Sequence, residues 1–380
     1  MRIEILSGTF ICKMIEGLAV TNNRKIRGNR SERGDFLINN PVRLYLSDGQ
    51  VFEGLAPAWQ QGQYSGEVVF NTGMTGYVES LTDPSYANQI LVFTFPIIGN
   101  YGVQLKDMES DKIQVSGVIT CQTALKGSHA KSAASLLEWL GSQSIPILTN
   151  VDTRALTKHL RAKGTMLGAI SQEPVNLNKL AVAPRQASIN APVIYNKQHA
   201  KKIILVDCGA KDNILKSLLK LPVQVKRVPA DYDYASEPYD GVVLSNGPGD
   251  PTDYQTTIAT TRKALAGDKP VFGICLGTQV MALAAGAKTY KLLFGHRGHN
   301  QPCMDVENRR CYITSQNHGY AIDEKSLPKD WRVSFRNLND SSVEGIRHKS
   351  KPFFSVQFHP EACPGPTDTA WLFERFAQAL

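Results

Sequence analysis

No stretch of the 380 residues is apolar for long enough to cross a bilayer. Two uncharged runs, residues 84–105 and 270–287, are broken by Ser85, Asn88, Gln89, Pro96 and Asn100 in the first and by Gly273, Gly277, Thr278 and Gln279 in the second. Neither supplies the ~20 apolar residues of a spanning helix. Near the start, Lys13 and Glu16 interrupt the only apolar stretch before it reaches the length of a secretory signal. The seven cysteines form no CxxC pair and no Cys/His ligand spacing, and their number is odd. A disulfide framework and a structural zinc site are both excluded on that pattern, and a reducing, cytoplasmic setting is expected. GxxxxGK[ST] is missing too, so nothing in the chain binds ATP by a recognisable loop. The net charge of +8 raises the question of an acidic partner, but no zinc, RNP or helix-turn-helix pattern accompanies it. Arg24, Lys25, Arg27, Arg30 and Arg33 face only Glu32 and Asp35 within residues 22–35, and the remaining excess is thinly spread. Neither nucleic acid nor membrane is an expected partner.

What is present reads as a folded chain. Hydrophobic residues make up 42% and charged residues 20%, near the globular average, and the length points to two or three domains. Residues 1–40 lack sustained periodicity and end in the Arg-rich segment, so a loosely ordered basic extension is expected there. A transit peptide is the alternative, weighed against Glu4, Glu16 and Glu32, and Met14 offers an alternative start. Residues 41–175 carry strand signals at 42–46, 67–70 and 90–95, turns at Asp48-Gly49 and Asp83-Pro84, and helical patterns at 130–140 and 154–162. This is a mixed α/β domain. A linker over residues 176–200 contains Pro184 and Pro192. Residues 201–380 then alternate: strand 203–206, helix 212–221, strands 223–228 and 241–244, helix 254–266, strand 271–274, helix from 276. Such alternation predicts a doubly wound, mostly parallel sheet, whose chemistry sits at the carboxyl ends of its strands.

Gly273-Ile274-Cys275-Leu276-Gly277 stands where an apolar strand meets an apolar helix. Glycines on either side permit the tight turn of a nucleophile elbow, and the helix start favours a thiolate. The other reading is a buried structural cysteine in a close-packed turn. His359 and Glu361 follow the apolar run 353–358 and are two residues apart, nominally on one face. A histidine there could take the thiol proton and a carboxylate could orient it, or the pair could simply form a His-Pro-Glu turn capping a strand. The loop 244–251, with Gly247 and Gly249, also follows a strand and could present N–H groups to an oxyanion, although such glycines are also ordinary turn chemistry.

Together these three elements resemble the class I, or triad, glutamine amidotransferases. The resemblance implies Cys275 as nucleophile, His359 as base, Glu361 as its orienting carboxylate, and the N–H groups of Leu276 and Gly247 as oxyanion donors. It further implies that Gly249, Gln279, Asn317, Gly319 and Tyr320 hold L-glutamine. Thr278 departs from the more usual His of that family. In the first half, residues 66–72, 74–77, 81–86, 98–100, 152–154 and 164–168 resemble the amino-terminal domain of the small-subunit family of carbamoyl phosphate synthetases, where Ser85 matches a residue that reaches the glutamine. The likeness covers residues 42–380. It implies a glutaminase with no cofactor or metal of its own, passing ammonia to a large subunit that uses ATP, Mg²⁺ and bicarbonate. The ending at Leu380 suggests that this partner is a separate chain, and a higher oligomer of such heterodimers is the expected assembly.

Overall fold

The computed structural model describes residues 37–180 and 187–380. Most of the expected basic extension, and the centre of the expected linker, lie outside the described residues.

The first unit is built on β1 (Ile38–Leu46), β2 (Val51–Pro57), β3 (Tyr64–Asn71), β4 (Gln89–Phe93), β5 (Ile97–Ile98), β6 (Gly117–Ile119), β7 (Gln122–Thr123), β8 (Ile147–Leu148) and β9 (Met166–Ser171). Seven of these form one sheet in the order β2-β1-β9-β3-β4-β6-β8, antiparallel as far as β3 and parallel beyond it, while β5 and β7 pair separately. Alternation along β3 and β4 sends Val69, Leu91 and Phe93 to one face, against Tyr77, Leu81, Leu136 and Leu140. It sends Val68, Phe70, Ile90 and Val92 to the other, against Leu156 and Leu160. The helix expected over residues 130–140 begins only at Leu136 and runs to Ser142. Ser135 caps it, accepting from the Glu138 N–H at 3.3 Å while Glu138 reaches back to the Ser135 N–H at 2.9 Å. Ala134 is meanwhile bridged to Val103, so the chain before the cap is extended.

The second unit holds β10 (Val193–Tyr195), β11 (Lys202–Asp207), β12 (Gln224–Pro229), β13 (Gly241–Leu244), β14 (Val271–Ile274), β15 (Lys288–Asp305), β16 (Cys311–Asp323), β17 (Trp331–Asn337), β18 (Val343–His348) and β19 (Phe353–Val356). Its sheet has the order β10-β12-β11-β13-β14-β19-β18-β16-β15-β17, parallel from β12 to β19. Ile203 and Leu205 point to one face, toward Ile214 and Leu218 of helix Asp212–Leu219 and Phe373 and Phe376 of helix Trp371–Gln378. Ile204 and Val206 point to the other, toward Ile258 of helix Gln255–Ala266 and Val280 and Met281 of helix Leu276–Ala285. Helices on both faces make the winding double, as the alternation predicts.

β15 to β18 correspond to no element read from the sequence. They pair antiparallel, and an additional β17–β18 pairing closes them on themselves. Register breaks between Lys291 and His296 and between Gly298 and Gln301 interrupt the side-chain alternation on which a sequence reading depends.

The units are joined by main-chain bonds: Thr72 N to Arg297 O at 3.2 Å, Thr165 N to Leu293 O at 3.0 Å and Asp212 N to Glu109 O at 2.9 Å.

Candidate active site

Cys275 stands between β14 and helix Leu276–Ala285, with φ 54° and ψ −107°. A positive φ is costly for a side-chain-bearing residue, and it persists here because the surrounding packing leaves the chain no other route. A Cβ at Gly277 would lie 2.2 Å from the Leu244 carbonyl oxygen, and one at Gly273 would lie 2.7 Å from that of Gly277. The turn is pinned by the Cys275 N–H donating to Val356 O at 2.9 Å and the Gly277 N–H donating to Ser245 O at 3.0 Å. Thr278 is fully buried and donates its hydroxyl to Val356 O. The position at which this chain departs from the family's His therefore ties the elbow to β19.

His359 lies three residues past the end of β19, placed by its N–H donating to Ser315 O on β16 at 2.9 Å. Its Nδ1 meets Glu361 Oε1 at 2.6 Å, and its Nε2 is buried without a protein hydrogen-bond partner. Burial alone would lower the His359 pKa, but Glu361, with Cys275 beside the ring, raises it to about 10. Burial acts on Glu361 in the opposite sense and is outweighed by Lys211 and His359, which bring it down to about 2. Lys211 Nζ is 3.1 Å from Glu361 Oε1 and also donates to Ala362 O, and both side chains are closed to solvent. The order is thus cysteine, imidazolium, carboxylate, ammonium.

Cys275 and Leu276 line a cleft together with Gly247, Gly249, Gln279, Asn317, Gly319 and Tyr320, and Ser85 enters it from the first unit. His359 and Glu361 lie behind Cys275 and do not line it. All the residues expected from the sequence are therefore brought together, in two layers. Gln279 donates to Tyr320 O at 2.9 Å and to Gln357 Oε1 at 3.0 Å, so its amide braces the wall of the cleft. Ser85 Oγ accepts from Asn246 Nδ2 at 2.8 Å, and Asn246 Oδ1 accepts from the Lys211 N–H at 3.0 Å. Asp83 accepts from Asn317 Nδ2 at 2.8 Å and from the Ser85 N–H at 2.9 Å.

Sequence reasoning missed Asp83, Lys211, Asn246, Arg297 and Glu67. Asp83 and Asn246 stood inside the segments that carried the resemblance, beside Ser85 and Gly247, and that adjacency was the available signal. Arg297 is buried and lines the cleft opposite Glu67, whose carboxylate binds Lys291 Nζ at 2.6 Å and Thr165 Oγ1 at 2.9 Å. Burial would raise the Glu67 pKa, yet Arg297 and Lys291 keep it below the ordinary value. The cleft thus offers positive and negative groups to the two charged ends of an α-amino acid.

Among the described residues one cluster has metal-ligand chemistry: His296, His318 and Glu344, whose ligand atoms lie within 4.8 Å of one another. His296 is clamped between Asp340 at 2.8 Å and Glu344 at 3.3 Å, which overcome its burial and raise its pKa to about 9. The two carboxylates thus favour the protonated form of the His296 imidazole.

Residues 204–379 match the family described as glutamine amidotransferase class-I, and residues 44–170 match the carbamoyl-phosphate synthase small chain, CPSase domain. The arginine-specific small chain of carbamoyl phosphate synthase from Candida albicans is 44% identical over 362 residues, covering 88% of this chain and 84% of that one. The chain belongs to the carbamoyl phosphate synthase small-chain family. The corresponding Neurospora crassa protein is 44% identical over 359 residues, covering 88% of this chain and 78% of its own length. The multifunctional protein CAD of Squalus acanthias is 46% identical over 353 residues, 88% of this chain but only 16% of that protein. This small-chain sequence therefore spans about a sixth of the length of that larger relative. Among its described residues, no helix is long and apolar enough to cross a membrane.

Proposed function

We propose that this chain hydrolyses L-glutamine through a γ-glutamyl thioester on Cys275 and delivers the ammonia to a large subunit that makes carbamoyl phosphate from bicarbonate and ATP. One observation carries the reading: a strained cysteine at the floor of a polar cleft, backed by a buried His359–Glu361 pair. In the first half-reaction Sγ attacks the side-chain carbonyl carbon of glutamine. The proton that left the thiol moves from His359 Nε2 to the departing nitrogen, and ammonia leaves. The Leu276 and Gly247 N–H groups stabilise the oxyanion. In the second, His359 takes a proton from water, the hydroxide attacks the thioester, and glutamate leaves as Cys275 is regenerated. Glu361 keeps the ring oriented and stabilises its charged form.

ATP and Mg²⁺ belong to the large subunit in this reading, and the small chain needs no cofactor. The complex has the cytoplasm as its setting, a view supported by the cysteines at positions 121, 208, 275, 303, 311 and 363, which are free among the described residues. It supplies arginine and pyrimidine synthesis, the former in keeping with the arginine-specific small chains of Neurospora crassa and Candida albicans that it resembles, and associates as an oligomer of heterodimers. Steady-state glutaminase assays with and without an added large subunit test the reading. Glutamine turnover that rises on addition of the partner is expected, and no turnover in either case would overturn it.

A further inference from the structure

Arg297 stands on β15 opposite Asn317 of β16, and its buried side chain forms part of the wall of the Cys275 cleft. Its guanidinium is only partly engaged. Nη1 donates to Phe294 O at 2.8 Å, while Nε is buried without a hydrogen-bond partner among the described residues. The carboxylate on the opposite side, Glu67, is already occupied. It accepts from Lys291 Nζ at 2.6 Å, from Thr165 Oγ1 at 2.9 Å and from Gln89 Nε2 at 3.1 Å. Asp250, the other carboxylate lining the cleft, accepts the N–H and the hydroxyl of Thr252 at 2.8 and 2.7 Å within its own loop. Among the described residues, Glu67 pairs with Lys291 and no carboxylate pairs with Arg297.

A guanidinium cannot shed its charge, so burying one is costly unless an anion meets it. Burial outweighs the attraction of Glu67 and holds the Arg297 pKa below its ordinary value. Glycine keeps a place for the missing anion. A Cβ at Gly319 would lie 3.3 Å from Arg297 Nη2, and Gly319 lines the same cleft. With hydrogen in place of that Cβ, no side chain at position 319 stands between the guanidinium and a bound molecule.

We propose that Arg297 binds the α-carboxylate of the substrate, meeting it at Nη2 beside Gly319, and so selects an α-amino acid amide over an amide that lacks this carboxylate. The proposal rests on the glutaminase reading above. Glutamine placed with its amide carbon at Cys275 Sγ carries its α-carboxylate at the other end of its methylene chain, away from the reacting atoms. Guanidinium is the side chain best matched to a carboxylate in a site closed to water. An anchor of this kind acts alike on bound substrate and transition state, so it governs KM and leaves kcat nearly alone.

The test uses the full chain with Arg297→Gln and Arg297→Lys, and two analogues that each lack one charged group of glutamine. Glutaramate keeps the amide and the carboxylate without the ammonium; 4-aminobutanamide keeps the amide and the ammonium without the carboxylate. Each is read by its protection of Cys275 from iodoacetamide, followed by peptide mass, and glutamine itself by steady-state hydrolysis. Thermal unfolding controls for folding. In Arg297→Gln the glutaramate concentration giving half-protection, and the KM for glutamine, should both rise roughly 10- to 100-fold. Protection by 4-aminobutanamide, kcat and the alkylation rate without ligand should stay close to the parent's, and Arg297→Lys should recover part of the loss. Equal weakening of both analogues would make Arg297 merely structural and overturn the proposal. Slower alkylation of the unliganded variant would assign the charge to the Cys275 thiolate, and failure of glutaramate to protect the parent would remove the carboxylate site; either overturns it too. A parent chain that glutaramate protects in an Arg297-dependent way, yet that hydrolyses no glutamine, refutes the glutaminase reading and not the role of Arg297.

Discussion

Asp83 and Asn317, 234 residues apart in the chain, meet through a 2.8 Å hydrogen bond from the asparagine amide to the carboxylate. Each belongs to a different sheet-based unit, and both are buried. The bond closes one side of the cleft at Cys275, so the two units share a single site.

The first prediction concerns that junction. Asp83→Ala removes the acceptor used by Asn317 and by the Ser85 N–H. Leaving buried donors unpaired costs about 1–3 kcal/mol, and we expect a raised KM for glutamine together with a lower unfolding free energy. Ser85→Ala removes only the oxygen that accepts from Asn246, a loss of roughly 0.5–1.5 kcal/mol. Carried into the glutamine site that loss is about 2- to 13-fold in KM, and stability should fall as well, because the buried Asn246 amide loses this acceptor. An unchanged KM in both variants would refute the shared site.

Replacement of the proposed nucleophile gives the second. Cys275→Ser should remove nearly all glutamine hydrolysis while leaving ammonia-dependent synthesis by the complex, and Cys311→Ser, at an exposed position, should behave as the parent. Thioester trapping with radiolabelled glutamine distinguishes the two directly. A labelled Cys275→Ser protein at parental turnover would remove Cys275 from the chemistry.

His359 and Glu361 should separate by property. His359→Ala eliminates proton transfer, for which general-base contributions of ~10² to 10⁴ fold set the scale. Glu361→Ala should be milder in kcat but harsher on the fold, because it strands the buried Lys211 ammonium. Breaking one side of a buried pair costs about 3–5 kcal/mol. Kinetics and urea unfolding on the same preparations check the crossing order, and a His359→Ala enzyme more active than Glu361→Ala would reverse the assigned roles.

The same pair fixes a stability window. His359 is raised from 6.5 to about 10, so its contribution is complete below 6.5 and disappears as pH climbs through 10. Glu361 is lowered from 4.5 to about 2, so its contribution is complete above 4.5 and disappears as pH falls through 2. The two overlap fully between those ordinary values of 4.5 and 6.5. The unfolding free energy of the parent minus that of His359→Gln, measured by urea titration across pH, should be greatest there. A difference that grows from pH 6 to pH 9 would contradict the assignment.

Much of the site could be read from the sequence because its chemistry is local. Gly273, Cys275 and Gly277 announce an elbow within five residues, and His359 and Glu361 lie two apart. The double winding could be read for a similar reason, since buried parallel strands such as β11 and β13 are continuous apolar runs. Lys211 was invisible because its partner stands 150 residues away, and nothing about a lysine before a helix distinguishes a buried ammonium from a solvated one. β15 to β18 escaped because their bulges break the two-residue period, and the capping box at Ser135 shows how one short polar motif outweighs the helical pattern read upstream of it.

The elbow contains two kinds of constraint that only sorting for turnover tells apart. At Gly277 a side chain collides with the Leu244 carbonyl, so a library of variants sorted only for folding would return glycine there, whether or not the protein worked. At Cys275 the backbone lies at φ 54° and ψ −107°, where a residue without a Cβ would relax. The same library would drift toward glycine at position 275 as well, and only sorting for turnover would keep the thiol.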